Sequence, residues 1–89
     1  MAKIEIYTAA FCPFCVRAKR LLDDEMLDYE EIDVSLSREL RQKMTSRAEG
    51  RTSVPQIFID DIPIGGCDDL MKLHHLGKLD RLVGRNQAS

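Results

Sequence analysis

Apolar residues in the first third of the chain recur at two spacings, one typical of a strand and one of a helix. Polar and apolar residues alternate around Ile4 and Ile6, which predicts a strand over Lys3–Tyr7 ending at the small-residue turn Thr8-Ala9-Ala10. Helical spacing follows, at Cys15, Ala18 and Leu22. Proline suits the first helical position, so we predict a helix from Cys12 or Pro13 to about Glu25.

The middle of the chain predicts a second strand and a second helix. Tyr29–Val34 is the strand candidate, although Tyr29 has the opposite parity to Ile32 and Val34, which leaves its register open. Ser35 or Ser37 can cap the helix, whose apolar positions recur every four residues, at Leu36, Leu40, Met44 and Ala48. Gly50 is the expected left-handed stop.

The last third predicts a hairpin and two helices. Gln56–Ile59 is apolar without alternation, as in a strand buried on both faces, and Ile62–Ile64 contains a proline that fits only an edge strand. Asp60-Asp61 is then the turn between them. Asp68 or Asp69 can cap a third helix that runs to Gly77, and a short last helix with Leu79, Leu82 and Val83 precedes Gly84.

These elements predict a compact α/β domain. Strands joined through helices are expected to run parallel, and the two strands joined by the tight turn antiparallel. The result is a four-stranded mixed sheet with helices on both faces, in the order β-α-β-α-β-β-α plus a short C-terminal helix. Because 89 residues leave room for one domain, we assign residues 1–85 to it and 86–89 to a frayed tail.

Composition excludes several classes of protein. The formal net charge of −2 leaves no broad basic face, so nucleic acid is not an expected partner. The N-terminus lacks the apolar stretch of a signal peptide, and no segment is apolar enough to span a membrane. Three cysteines are too few for a secreted disulfide framework, so we expect a reducing cytoplasm as the compartment.

The sequence Cys12-Pro13-Phe14-Cys15 stands above this background. Its spacing places both sulfurs on one helix face, close enough for a disulfide, and places Cys12 at the helix N-terminus. Free N–H groups and the helix dipole stabilise a thiolate there, so we expect the pKa of Cys12 to lie well below the free value of about 8.5. Cys12 is therefore the predicted nucleophile and Cys15 the resolving thiol. Half of a zinc site is the alternative, which the flanking strand and helix disfavour.

Three separated motifs, in order, resemble the small bacterial dithiol glutaredoxins almost from end to end. They are Cys12–Cys15, Ser53–Ile59 and Gly65–Leu70, preceded by the strand Ile4–Thr8. The resemblance implies a thioredoxin-like fold, with glutathione as the electron donor and co-substrate and no tightly bound cofactor or metal. It also implies a monomer that acts on glutathionylated or disulfide-bonded proteins, ribonucleotide reductase being one candidate.

The resemblance also implies a glutathione site. A cis peptide bond before Pro55 is similar to the family's, and it turns the backbone of Val54 outward as a strand-like template. Gly66 allows close approach of the backbone, while Cys67, Asp68 and the helix start behind them suit the γ-glutamyl end. An ordinary proline and an aspartate N-cap are the structural alternatives.

Two further residues belong to the implied site, and one expected residue is absent. Gln42 matches the position that contacts the glycine carboxylate, and Phe14 stands where the family often has tyrosine. Ala9 stands where relatives commonly place a lysine, and Arg17, Lys19, Arg20 and Arg51 are the residues that could supply positive potential instead.

Other interpretations are weaker. A thioredoxin-type carrier reduced by a flavoenzyme is a rival because of Ala9 and Phe14, and an iron–sulfur module is a rival that Pro13 disfavours. Cys67 is read as a small, semi-buried residue of the glycine turn rather than a regulatory thiol. His74 and His75 point about 100° apart on a helix, so they do not suit one metal ion.

Overall fold

Residues 2–85, the part of the chain that the computed structural model describes, form four strands and four helices in the predicted order. The predicted tail, 86–89, lies outside the described residues. The elements are β1 (Ile4–Thr8), α1 (Pro13–Asp24), β2 (Glu30–Asp33), α2 (Arg38–Arg47), β3 (Gln56–Ile59), β4 (Ile62–Gly65), α3 (Cys67–His75) and α4 (Leu79–Leu82).

The strands form one mixed sheet in the order β2-β1-β3-β4. β1 and β2 are parallel, and β3 and β4 are joined by the predicted turn, in which Asp60 and Asp61 have φ of 50° and 68°. β3, however, is antiparallel to β1, with Gln56 opposite Tyr7 and Ile59 opposite Ile4. The expectation that every helix joins parallel strands was therefore wrong for α2.

The reason lies in the connection after α2. Residues 48–55 carry the chain back to the end of the sheet where β1 ends, so that β3 starts there instead of at the opposite end. The right-handed crossover rule applies to two strands that run parallel in the same sheet. It does not apply to β2 and β3, because they run in opposite directions and lie on opposite sides of β1. The reversal places residues 54 and 55 beside the start of α1.

Apolar residues pack on both faces of the sheet. On one face Ile4, Ile6, Ile57 and Ile59 pack against α1, α3 and α4. On the other, Tyr7 and Phe58 pack against Met44 and Ala48 from the α2 side. Burying each large apolar side chain contributes about 1.5–3 kcal/mol relative to leaving it exposed. Tyr29 joins the first core and Ile32 and Val34 the second, which resolves the parity of β2.

Helix caps agree with the sequence at two sites and differ at one. Cys12 is the N-cap of α1, and Ser37, rather than Ser35, caps α2 by accepting a hydrogen bond from the Leu40 amide at 3.1 Å. Leu36 is fully exposed and does not belong to the apolar stripe. For α3 the N-cap is Gly66 instead of Asp68 or Asp69, because Asp69 acts from the third helical position, where its carboxylate accepts a hydrogen bond from the Gly66 amide at 2.9 Å.

Candidate functional site

Cys12 and Cys15 meet at the start of α1, on the loop that follows β1. They are joined in a disulfide, with Cα atoms 5.2 Å apart. The amide of Cys15 donates a hydrogen bond to the Cys12 sulfur at 3.1 Å, as expected of an N-cap side chain. Cys12 is half-buried, whereas Cys15 is only 2% exposed. The outer sulfur is therefore accessible to a substrate and the inner one is shielded.

Val54 and Pro55 lie directly beside Cys12, although 42 residues separate Val54 from it in the chain. The peptide bond between them is cis, as the resemblance implied. The Val54 carbonyl oxygen is 3.9 Å from the Cys12 sulfur. Because β3 is antiparallel to β1, its first residue faces the end of β1, which brings this backbone segment to the dithiol.

Six of the seven predicted glutathione-binding residues line a single groove of about 230 Å³, which we call the front groove. It is lined by Phe14, Val54, Pro55, Gly66, Cys67 and Asp68, together with Arg51, Ser53 and Asp69. Gln42 lies outside it, in a neighbouring cavity lined by Arg38, Arg41, Thr45, Ser46 and Thr52. The structure thus brings together three separated stretches of sequence and leaves Gln42 beside them.

Two glycines give the front groove its shape. Gly65 has φ of +113°, and a Cβ at this position would collide with the Asp69 carboxylate and stand 2.7 Å from Arg51 Nη1. A Cβ on Gly66 would lie 3.3 Å from the Pro55 carbonyl oxygen. The Asp69 carboxylate, the Arg51 guanidinium and the Pro55 carbonyl can therefore approach this turn closely because residues 65 and 66 have no side chains.

Of the four basic residues considered above, two are near the front groove. Arg51 lines it and pairs with Asp69, Nη2 to Oδ2 3.3 Å, a bridge that the sequence pattern did not reveal. Arg17 stands over the ring of Phe14, 5.7 Å from its centroid, and that ring is half-exposed. Burial raises the pKa of the Cys67 thiol, which is 3% exposed, so this third cysteine is a neutral group in the groove wall at neutral pH.

A second groove, of about 580 Å³, lies on the other side of the Cys12 loop, toward β2. We call it the rear groove. Cys12 and Cys15 both line it. The residues next to Cys12 in the chain are apolar, at Ala9, Ala10, Phe11, Pro13 and Val16, and the remaining lining is polar, from Thr8, Lys19, Glu31 and Asp33. No sequence motif indicates this groove, because its lining residues come from β1, the loop after it, α1 and β2. Ala9 lies here and not in the front groove.

Glu31 is fixed in the rear groove by two donors. Thr8 Oγ1 donates to its Oε2 at 2.8 Å, and Lys19 Nζ donates to the same oxygen at 3.0 Å. Burial by itself would raise the pKa of Glu31, but these hydrogen bonds outweigh it and the pKa lies below its usual value. Glu31 is thus an anion paired with Lys19.

Metal and membrane features can be stated for residues 2–85 only. Within that range no group of three or more His, Cys, Asp and Glu side chains is arranged to hold a metal ion. His74 lies beside Glu25, Nδ1 to Oε1 3.9 Å. None of the helices in the same range is long and apolar enough to cross a bilayer.

Comparison with known proteins agrees with this geometry. Residues 4–64 match the family model described as Glutaredoxin. Glutaredoxin 1 of Rickettsia prowazekii (strain Madrid E) is 51% identical over 81 residues, which are 90% of this chain and 85% of the relative. A solution structure of glutaredoxin from Brucella melitensis has a TM-score of 0.82 and 46% identity, covering 97% of this chain and 95% of that one.

A third neighbour was solved with a ligand. The crystal structure of a buckwheat glutaredoxin–glutathione complex has a TM-score of 0.82 and 27% identity, covering 93% of this chain and 77% of that one. One conclusion follows from the pair of cysteines, of which Cys12 is accessible and Cys15 shielded, from the fold and from these matches. The chain belongs to the glutaredoxin family and is a thiol–disulfide oxidoreductase.

Proposed function

We propose that this oxidoreductase uses glutathione to reduce glutathione mixed disulfides and protein disulfides, acting as a cytoplasmic monomer. One observation carries the proposal: six residues that the family resemblance assigns to glutathione line one groove beside the accessible sulfur. Its substrates would be glutathionylated or disulfide-bonded proteins, with ribonucleotide reductase as a candidate, and glutathione is a co-substrate rather than a bound cofactor.

Glutathione would lie in the front groove with its sulfur at Cys12. Its peptide backbone pairs with the outward-facing Val54, in the manner of an added strand. Its γ-glutamyl carboxylate faces the first amides of α3, at Cys67 and Asp68, which have no intrahelical partner, while the Asp68 carboxylate accepts from the ammonium. Phe14 walls the groove, and Gln42 reaches the glycine carboxylate from the neighbouring cavity.

Reduction of a glutathione mixed disulfide needs Cys12 alone. Its thiolate attacks the glutathione sulfur, a bond forms between these two sulfurs, and the bond to the protein sulfur breaks; the protein leaves as a thiolate and takes a proton from water. A second glutathione thiolate then attacks the glutathione sulfur bound to Cys12. Oxidised glutathione departs and the Cys12 thiolate returns.

Reduction of a protein disulfide needs both cysteines. Cys12 attacks one substrate sulfur, and the other substrate sulfur leaves as a thiolate. Cys15 then attacks the Cys12 sulfur, the bond from Cys12 to the substrate sulfur breaks, and the proton of Cys15 passes to the departing substrate sulfur. The reduced substrate is released and the Cys12–Cys15 disulfide present in this structure forms. Two glutathione molecules reduce that disulfide and leave as oxidised glutathione. Glutaredoxins operate near −200 to −230 mV, so the direction follows the glutathione pool.

Substitution of each cysteine tests these roles. In Cys15→Ser we expect reduction of a small glutathione mixed disulfide to persist and reduction of a protein disulfide to be lost. In Cys12→Ser both activities should disappear, because only Cys12 sits at the helix N-terminus and is accessible. Equal loss of mixed-disulfide reduction in both variants would overturn the assignment. Reduction of the unchanged protein by a flavoenzyme but not by glutathione would replace it with a thioredoxin-type function.

A further inference from the structure

Phe11 occupies an unusual position immediately before the nucleophile. Its side chain is fully exposed, with a relative accessibility of 103%, and its φ is +56°. Non-glycine residues adopt this conformation at a cost, and an aromatic ring in water gains nothing from it within the domain. The backbone therefore holds an apolar side chain outward at the mouth of the rear groove, one residue from Cys12.

Exposed apolar area continues from Phe11 along the rear groove. Val16, one turn into α1, is 61% exposed and lines the groove together with Ala9, Ala10 and Pro13. Contiguous apolar surface at a functional site is typical of a place where another molecule binds. The front groove, on the opposite side of the same loop, is the one assigned to glutathione, so the rear groove is left for the rest of a substrate.

The far end of the rear groove carries a net negative charge. Lys19 is paired with Glu31 at 3.0 Å, and Asp33 adds a second carboxylate. The Asp33 carboxylate accepts a hydrogen bond from the Ser35 amide at 2.8 Å, and hydrogen bonds from Ser35 keep the pKa of Asp33 below its usual value. A partner that follows the groove from Cys12 thus meets apolar surface first and an anion afterwards.

We propose that the rear groove binds the polypeptide of a disulfide-bonded protein substrate, in which an apolar side chain next to the reacting cysteine packs on Phe11 and a basic side chain farther along faces Asp33. The occupant is an extended segment of the substrate, because its cysteine is covalently bound to Cys12 during the reaction and the groove continues from that point. This inference rests on the proposed function and names a substrate class for it.

The step that this binding serves is the first half of the dithiol route. The Cys12 thiolate forms a bond to the substrate cysteine while the substrate disulfide breaks, and the second substrate sulfur leaves as a thiolate that is protonated by water. Contacts with Phe11 hold the linked segment until Cys15 attacks the Cys12 sulfur and the segment departs as a thiol. No oxidant or reductant is required beyond the two protein thiols and the substrate disulfide.

Single-turnover reduction of two synthetic peptides tests the proposal. Each peptide carries one internal disulfide; one has leucine beside the first cysteine and lysine farther along, the other has serine and glutamate at the same positions. We expect the reduced protein to react about tenfold faster with the first peptide. In Phe11→Ser the ratio of the two rate constants should fall toward one, and a ratio is insensitive to a general loss of activity.

Met26→Ser is the matched control. Met26 has φ of +58° and is 87% exposed, so it shares the backbone conformation and exposure of Phe11, but it lies just beyond the other end of α1. Its substitution should leave the ratio unchanged. The proposal fails if the unchanged protein shows no preference, or if Phe11→Ser keeps the preference, or if both variants lose it equally.

Asp33→Asn separates the charge from the apolar contact. Two peptides that both carry leucine, and differ only in lysine against glutamate, should differ by up to about fivefold at low salt, and less as salt rises. Asp33→Asn should remove that difference, and a salt-insensitive difference that survives the substitution would overturn the role of Asp33. Glutathione mixed-disulfide reduction by the unchanged protein is measured in parallel, because its absence would refute the proposed function and not this inference alone.

Discussion

Arg47 holds both carboxylate oxygens of Glu5 across the face of the sheet that α2 covers. Its Nη2 lies 2.8 Å from Glu5 Oε1 and its Nη1 lies 3.2 Å from Oε2. The same Nη1 donates to the Tyr7 hydroxyl at 2.9 Å, and the guanidinium stands 4.2 Å from the centroid of the Phe58 ring. A central strand thus carries a buried glutamate, the side chain of which is 9% exposed, because α2 supplies its partner.

The pair makes stability depend on pH in the acid range. Hydrogen bonds from Arg47 hold the pKa of Glu5 below its usual value of 4.5, so the unfolded chain binds the proton more readily than the folded one. The contribution is therefore complete above about pH 4.5 and is lost as the pH falls through the lowered pKa. Between pH 7 and pH 3, the free energy of unfolding by urea should fall less in Glu5→Gln than in the unchanged protein. Parallel curves for the two proteins would contradict this.

Removing the arginine should cost more than removing the acid. In Arg47→Met the carboxylate of Glu5 stays buried without its main partner, and we expect the free energy of unfolding at pH 7 to drop by about 2–3 kcal/mol. Arg38→Met, an exposed position on the same helix, is the control and should change it by less than about 0.5 kcal/mol. Equal effects in urea unfolding would show that the pair contributes nothing specific.

Gly65 and Gly50 offer a matched test of the front groove. Both have positive φ, +113° and +94°, but a Cβ at Gly65 would collide with Asp69, whereas a Cβ at Gly50 would have no neighbour within 4 Å. Gly65→Ala and Gly50→Ala should share the backbone cost of about 1 kcal/mol. Only Gly65→Ala should also raise the KM for glutathione, several-fold. A similar KM for glutathione in both variants would show that the turn at Gly65 has no role in glutathione binding.

The third cysteine should be the slow one. Burial raises the pKa of Cys67, so at pH 8 little of it is thiolate, and its 3% exposure blocks access. After reduction of the protein, alkylation followed by peptide mass spectrometry should modify Cys12 at least about tenfold faster than Cys67. The alkylation rate of Cys67 should keep increasing as the pH rises above 9, because burial raises the pKa of this thiol. Comparable rates at pH 8 would show that Cys67 is a reactive thiol.

The local elements were predictable because each has a short-range physical signal. Pro13 and the spacing of Cys15, Ala18 and Leu22 place α1 correctly, and Asp60-Asp61 forms the predicted turn. Direction was not predictable in the same way. Whether β3 runs parallel or antiparallel to β1 depends on the end of the sheet to which residues 48–55 carry the chain. No periodicity in those residues indicates which end that is.

In the candidate site, too, the residues with a signal in the sequence were predictable and those without one were not. Cys12 and Cys15 follow from spacing alone, and the front-groove residues follow from a resemblance that spans separated motifs. The Arg51–Asp69 bridge and the rear groove have no such signal, since they depend on side chains from different elements meeting in space. Leu36 shows the converse: its four-residue spacing from Leu40 suggested burial, but it precedes the cap at Ser37 and remains in solvent.

Antiparallel pairing of β1 with β3 makes the interior of the sheet a constraint on the evolution of the site. A two-residue slip of that pairing would move Pro55 by nearly 7 Å relative to Cys12, and a one-residue slip would turn Phe58 toward the opposite core. Ile6 and Ile57 face each other in this pairing and are completely buried. Although no substrate reaches them, selection for activity should hold them as tightly as the residues of the grooves.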